Sequence, residues 1–230
     1  MASVGLVGGL GPESTIDYYR RILERWERER PGSAPSIVID SLDVQMGLRL
    51  VQHDRAGLLA YLRASLERLV GAGVSFAALT ANTPHLVFDD LAAGSPVPLI
   101  SIVETCAGEA RRRGFTRLLL LGTRFTMEGA FFPTVFGRHG LSLVPLERAD
   151  VAWVHERYVG ELLKGDFRDE TRQRFVELVD RVRRESGIEA VILGGTELPL
   201  LLRATEIGGV PLLDTTALHV DAIVARLLVG

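Results

Sequence analysis

Short apolar runs alternate along this chain with longer segments in which apolar and polar residues are mixed. The short runs are rich in leucine and β-branched residues, and most of them contain no polar position. This composition is typical of strands that are buried on both faces of a parallel sheet. We therefore predict eight strands, at residues 3–8, 36–41, 74–80, 97–101, 116–122, 141–145, 190–195 and 210–214.

The mixed segments between these runs have the spacing of amphipathic helices. In the segment 12–29, Ile16, Tyr19, Leu23 and Trp26 recur at intervals of three or four, which predicts that they form its buried face. A second segment with the same spacing, from residue 54, ends at a glycine, as helices often do. Strands that alternate with helices in this way predict an α/β fold with mostly parallel sheets.

The second half of the chain repeats features of the first half in the same order. A buried strand ends in the turn TANTPH (80–85), and another ends in GGTELP (194–199). Each turn is followed by a strand that starts Val-Pro-Leu, at 97 and at 210. We therefore predict two similar Rossmann-like lobes related by a pseudo-twofold axis, the first made of 1–100 plus 210–230 and the second of 101–209. Ligands of open α/β sheets bind beyond the carboxyl ends of the strands, so both turns are expected to face a cleft between the lobes.

Composition excludes several functional classes. The 230 residues are 47% hydrophobic and 24% charged, with a net charge of −3, so a nucleic-acid partner is not expected. The single cysteine, Cys106, cannot form a disulfide within the chain, which is typical of a reducing compartment. The N-terminus lacks a signal-peptide pattern, and no run reaches the roughly 18 apolar residues of a membrane span. We predict a cytoplasmic protein without a membrane partner.

The glycine-rich loop 8–11 leaves the first strand and enters a helix through Pro12, a geometry that suits an anion. The dinucleotide motif G-x-G-x-x-G is incomplete here, because Ser14 stands where its third glycine would be. Glu13 would also bring negative charge close to a pyrophosphate. A tight structural turn is therefore favoured over a nucleotide site, although a nucleotide-dependent enzyme remains a third hypothesis.

Five motifs together resemble the aspartate/glutamate racemase family, whose members work without pyridoxal phosphate. They are GLVGGLGPEST followed by YY, ANTPH, GTRFTM (122–127), LLKGDF (162–167) and GGTELP, and they span nearly the whole chain. The resemblance implies two Rossmann-like lobes, a homodimer, no cofactor and a small amino acid or related carboxylate as the partner molecule.

In the family, a cysteine in each lobe transfers a proton at one face of the substrate α-carbon. The matching positions in this sequence are Ala81 and Gly195, so both thiols are replaced. Cys106 matches neither position. The neighbouring His85 and Glu197 are candidates for the acid and base, or else side chains that support the two turns. Burial raises the pKa of a glutamate, and a histidine ordinarily titrates near neutral pH. Either residue type is therefore chemically suited to proton transfer.

The resemblance also supplies a set of substrate-binding candidates. Hydroxyl, amide and cationic groups of this kind hold a carboxylate. Four candidates have a structural alternative as well, namely a solvated cation for Arg49 and Lys164 and a helix cap for Thr83 and Thr196. The set comprises Arg49, Asn82, Thr83, Thr123, Lys164 and Thr196.

Two hypotheses of function follow. The first is an isomerase of this family that transfers a proton at the α-carbon of a small amino acid or related carboxylate without a cofactor. The second is a catalytically silent or repurposed member that binds such a molecule without turnover. Scattered histidines with no H-E-x-x-H or H-x-H spacing give no reason to expect a metal site.

Overall fold

The structure, a computed structural model, describes residues 2–230. Its strands are β1 (Ser3–Gly8), β2 (Ser36–Ser41), β3 (Phe76–Leu79), β4 (Leu99–Ile100), β5 (Arg117–Leu121), β6 (Ser142–Val144), β7 (Ala190–Leu193), β8 (Glu206–Ile207) and β9 (Val210–Asp214). Its α-helices are α1 (Pro12–Glu29), α2 (Val44–His53), α3 (Arg55–Gly71), α4 (Phe88–Ala93), α5 (Ile102–Arg112), α6 (Arg124–Met127), α7 (Phe131–Arg138), α8 (Arg148–Gly160), α9 (Asp169–Ser186), α10 (Leu198–Leu202) and α11 (Thr215–Val229). Two 3₁₀ helices, Thr83–Val87 and Leu162–Lys164, follow β3 and α8.

The α/β fold is confirmed, and each of the eight predicted strands is present. The bounds of β1, β2 and β9 are those predicted, and the other five strands are shorter than predicted by one or two residues at an end. The additional strand β8 was missed, since two residues carry no readable periodicity. It is also the strand that runs antiparallel to its neighbour, β9.

The chain forms two compact units, and the same strand order occurs in both. The first unit runs to Ile102 and includes Thr216–Gly230, and the second is Val103–Thr215. The sheet of the first unit has the order β2-β1-β3-β4, and that of the second has β6-β5-β7-β9-β8. With β8 set aside, the strands of both sheets are parallel and their orders correspond one to one. The repeat seen in the sequence therefore reflects two copies of one topology.

The predicted boundaries need one correction. Residues 210–214 were assigned to the first lobe, but β9 pairs with β7 and belongs to the sheet of the second unit. The chain returns to the first unit only at α11, whose Val220, Ile223 and Val224 pack in the first core. The predicted cleft between the lobes stays a prediction.

Helices cover both faces of the first sheet. α1 and α11 pack together on one face, and α3 packs on the other through Leu58, Leu62, Leu66 and Leu69. The predicted face of α1 is correct at Trp26 and wrong by one position in the first turns. Its buried side chains are Ser14, Thr15, Tyr18, Ile22 and Trp26, whereas Ile16 and Tyr19 are 44% and 43% exposed. The neighbouring pair Tyr18-Tyr19 made the two registers hard to distinguish by periodicity.

The second unit has its own apolar core. Side chains of β5 and β7 pack there against α8 and α9, with Val154, Phe175 and Val179 fully buried. The carboxyl ends of β5 and β7 lie side by side because these strands are parallel neighbours. Within residues 2–230, no helix is long and apolar enough to cross a membrane.

Candidate active site

The turn after β3 is fixed in place by Thr80. Its backbone N–H and its hydroxyl both donate to the carbonyl oxygen of Val7, at 3.0 and 3.2 Å. The Ser14 hydroxyl donates to the Thr80 carbonyl oxygen at 3.0 Å, and the hydroxyls of Thr15 and Thr80 lie 3.2 Å apart. Strand β1 and the start of α1 therefore hold the turn together, and Asn82 follows as a buried side chain.

The glycine-rich loop is a structural turn of the same region. Gly9 has a φ of 78°, and a Cβ at this position would lie 2.2 Å from the carbonyl oxygen of Leu42. Its N–H donates to the Thr15 hydroxyl at 2.9 Å. A donor that a nucleotide phosphate would need is therefore used inside the protein, which favours the structural interpretation over the nucleotide site.

His85 is buried, and both of its ring nitrogens are engaged. The backbone N–H of Ile102 donates to Nε2 at 3.3 Å, so Nδ1 carries the proton and donates to the Ala81 carbonyl oxygen at 3.1 Å. The ring stacks on Phe88 at 4.7 Å. Burial, and then the charge of His219, lower the pKa of His85 to about 3. This neutral, fully bonded imidazole favours the supporting role over the catalytic one.

In the second unit, two turns meet where β5 and β7 end. The backbones approach so closely that a Cβ at Gly122 would lie 2.7 Å from the Gly194 carbonyl oxygen. Glycine at these positions is what allows the two turns to lie against each other. Thr123 follows the first turn, and Gly195, Thr196 and Glu197 complete the second.

The polar side chains on these turns are buried, and each has a hydrogen-bond partner close in sequence. Thr123 caps α6, because its hydroxyl accepts a hydrogen bond from the Thr126 N–H at 3.3 Å. Thr196 does not cap a helix. Its hydroxyl donates to the Glu197 carboxylate at 3.2 Å. Thr123, Thr196 and Glu197 are each no more than 5% exposed.

Tyr158, on α8, completes this buried polar group. Its hydroxyl donates to the Glu197 carboxylate, on the oxygen that also accepts from Thr196. Burial, and then the nearby charge of Glu197, raise the pKa of this phenol well above its usual value. Sequence reasoning missed Tyr158, because it lies 39 positions before Glu197 and belongs to none of the motifs.

The segment that carries Lys164 is organised by Glu161. One carboxylate oxygen of Glu161 pairs with Arg157 at 2.7 Å, and the other accepts from the Thr171 hydroxyl at 2.6 Å. Burial acts to raise the pKa of Glu161, but these bonds outweigh it and lower the pKa. The 3₁₀ helix then ends at Gly165, whose φ is 73°. The Lys164 side chain itself is exposed.

Arg49 lies on α2 in the first unit, where its side chain is exposed. Its guanidinium contacts the Met46 sulfur at 3.8 Å. Asp43 caps the helix by accepting from the N–H groups of Gln45 and Met46. Arg49 and Lys164 therefore differ from the other predicted binding residues, which are buried or half-buried.

Comparison with known proteins gives the family. The sequence profile of Asp/Glu/hydantoin racemases matches residues 7–223, which is nearly the whole chain. The chain belongs to the Asp/Glu/hydantoin racemase family. A broad-specificity amino-acid racemase of Bacillus subtilis is 21% identical to it over 98% of both chains.

Solved structures agree with this assignment. An aspartate racemase homologue from Pyrococcus horikoshii is 30% identical and has a TM-score of 0.83, covering 99% of this chain and 100% of its own. A candidate Asp/Glu racemase from Yersinia pestis is also 30% identical, with the same coverage and a TM-score of 0.88. The predicted family and its two-sheet α/β architecture are thus confirmed.

The two turns carry Ala81 and Gly195 at the positions where the family resemblance predicts cysteines. The cysteine that the chain does contain does not compensate for them. Cys106 is fully buried on α5, and burial, followed by the charge of Asp214, raises the pKa of its thiol. A buried thiol of this kind is not a ready proton acceptor.

Six of the eight predicted site residues lie on the turns, and the other two, Arg49 and Lys164, are exposed elsewhere. Asn82, Thr83 and His85 lie on the turn of the first unit, and Thr123, Thr196 and Glu197 on the turns of the second. Among residues 2–230, no cluster of three or more His, Cys, Asp or Glu side chains is placed to hold a metal ion.

Proposed function

We propose that this protein is an isomerase that acts on a small amino acid or related carboxylate by cofactor-independent proton transfer at the α-carbon. The observation that carries the proposal is the buried Glu197 carboxylate, which accepts hydrogen bonds from two hydroxyls beyond the carboxyl end of a parallel strand. That is where α/β sheets bind their ligands. Membership of a racemase family supports the reaction class.

The substrate carboxylates are held, in this proposal, by the polar residues that flank the two replaced cysteine positions. Asn82 and Thr196 are 2% exposed, and Thr123 is 5% exposed, so a bound carboxylate would be partly shielded from water there. Arg49 and Lys164 are the proposed cations. Their long exposed side chains are available to an approaching acidic substrate.

His85 has a supporting role in the proposed mechanism. Its bond to the Ala81 carbonyl oxygen and its bond from Ile102 fix the turn that carries Asn82. Glu197 is the proposed acid/base group. We also propose a homodimer that needs no pyridoxal phosphate, as the family resemblance implies, and light scattering combined with size-exclusion chromatography measures the oligomeric state.

Proton exchange in heavy water tests the proposed function directly. The purified protein is incubated with each common amino acid, in both D and L forms, because one relative is a broad-specificity racemase. Appearance of deuterium at the α-carbon, detected by NMR, and of the opposite enantiomer, detected by chiral chromatography, is the expected result. Glu197→Gln should lower both signals about 100-fold or more while the melting temperature stays within a few degrees of wild type.

A silent binding protein is the second candidate, and the first unit supplies the observation that favours it. Ala81 offers only a methyl group, and the nitrogens of His85 are already bonded. An amino acid that raises the melting temperature without acquiring deuterium would support this candidate and contradict the first. Deuterium incorporation by the wild type would exclude it.

A further inference from the structure

Position 195 has no room for a side chain because of a neighbouring residue, whereas its backbone conformation does not require glycine. A Cβ at this position would lie 2.2 Å from Cε2 of Tyr158 and 2.7 Å from both its Cζ and its hydroxyl oxygen. These separations are far shorter than van der Waals contact. The end of the Tyr158 ring therefore occupies the space into which a side chain at 195 would project.

The phenol is held in a definite orientation at this place. Tyr158 is 3% exposed and lies in the core formed by α8, α9 and the second sheet. Its hydroxyl donates to the Glu197 carboxylate, and the Glu197 N–H points toward the phenol oxygen at 3.5 Å. A buried phenol normally needs such a partner, and this one finds it on the proposed acid/base residue.

We propose that Tyr158 takes the place of the missing side chain at 195 and that its hydroxyl, together with Glu197, carries the proton in the second unit. This inference rests on the proposed function, since it names the group through which that chemistry runs. It also explains why the glycine of this turn lies against a buried tyrosine of α8.

The proton moves in two coupled transfers. The substrate α-carbon gives its proton to the phenol oxygen while the phenol gives its own proton to the Glu197 carboxylate. The electron pair of the broken C–H bond stays on the substrate, delocalised into its carboxylate. The reverse transfers return a proton to the same face, and exchange of the Glu197 proton with water brings in deuterium, so this pair accounts for α-proton exchange. Inversion then requires a proton from water at the opposite face. The coupling avoids a free tyrosinate, which burial makes costly because it raises the pKa of Tyr158.

A purely structural role for Tyr158 is the alternative, and Tyr158→Phe separates the two. Phenylalanine keeps the ring that fills the space beside Gly195 and removes only the hydroxyl. We expect Tyr158→Phe to lower the rate of α-proton exchange about 100-fold or more, the usual contribution of an acid/base group. Tyr19→Phe is the matched control, because Tyr19 is 43% exposed on α1, and its exchange rate should equal that of the wild type.

A double-mutant cycle tests whether Tyr158 and Glu197 act as one unit. If they do, Tyr158→Phe combined with Glu197→Gln should lose no more than the more damaging single change. Multiplicative losses would overturn the coupled transfer. An unchanged rate in Tyr158→Phe would overturn the role of Tyr158 while the proposed function stands. Absence of exchange in the wild type, with every amino acid tested, would overturn both.

Thermal unfolding tests the packing without any need for activity. Gly195→Ala should lower the melting temperature by at least about 4 °C, because overpacking forces the ring to move. In a protein that also carries Tyr158→Leu, Gly195→Ala should change the melting temperature little. Gly137→Ala is the control, since a Cβ there meets no atom within 4 Å. Equal melting temperatures for Gly195→Ala and Gly137→Ala would overturn the proposal.

Discussion

Acidification is expected to destabilise the first unit through two buried histidines, His85 and His219. Both are neutral in the fold. Nε2 of His219 donates to the Ile100 carbonyl oxygen at 3.0 Å, so its Nδ1 accepts from the Tyr18 hydroxyl at 2.9 Å. Burial lowers the pKa of His219 to about 4, and burial together with the charge of His219 lowers that of His85 to about 3.

The direction and size of the effect follow from proton binding. Below the ordinary histidine pKa of 6.5, the unfolded chain takes up protons that the folded chain does not, so stability falls as the pH decreases. Between pH 7.5 and pH 5, each histidine lowers the free energy of unfolding by about 2 kcal/mol, and the pair lowers it by about 4 kcal/mol. Carboxylates with lowered pKa values also stabilise the fold, but their contribution is lost only below this pH range, as for Glu109 with a pKa of about 2.

Urea unfolding at pH 5.0, 6.0 and 7.5 measures this loss. His219→Gln should lower stability at every pH but reduce the difference between pH 7.5 and pH 5 to about 2 kcal/mol, because one of the two titrating groups is gone. His53→Gln is the control, since His53 is exposed on α2, and it should keep the wild-type difference. A wild-type difference under about 1 kcal/mol would refute the argument that both rings are neutral in the fold.

Two further predictions concern stability. Gly9→Ala should lower the free energy of unfolding by about 3 kcal/mol, because its φ is positive and its Cβ would collide with Leu42. Gly32→Ala is the control, with a φ of 75° and no atom within 4 Å of its Cβ, and should cost about 1 kcal/mol. Urea unfolding measures both. Glu161→Ala should cost about 3 kcal/mol, because it leaves the buried Thr171 hydroxyl unpaired and removes one of the two carboxylates that pair with the half-buried Arg157. Glu156→Ala, at a side chain 71% exposed, should cost under about 0.5 kcal/mol in the same assay. Equal losses within either pair would contradict the explanation given for it.

Much of the fold could be predicted because the strands are apolar and the chain repeats one topology. Buried parallel strands leave a continuous signal, and TANTPH and GGTELP marked the ends of two of them. The assignment of 210–214 failed for a different reason. A Val-Pro-Leu strand carries no information about which of two similar sheets it joins, and pairing with β7 decides it.

The candidate site could be predicted only where motifs mark it. Asn82, Thr196 and Glu197 follow strands directly, so the sequence placed them at the turns. Tyr158 lies on α8, and only the folded chain brings its ring against Gly195. The sequence also left the role of His85 open, because the bonds that engage its nitrogens come from backbone atoms, which no residue pattern reveals.

Positions 81 and 195, where the family resemblance predicts cysteines, are physically different. At 81 the alanine carbonyl oxygen accepts from a histidine whose other ring nitrogen is also bonded. At 195 the Tyr158 ring fills the space beside the glycine and brings a hydroxyl to the Glu197 carboxylate. A cysteine at 195 can be accommodated only if Tyr158 moves or is replaced, so these two positions are coupled. In the proposed mechanism the groups that carry the proton therefore lie in the second unit, on Tyr158 and Glu197, and any exchange activity should follow changes at these two residues.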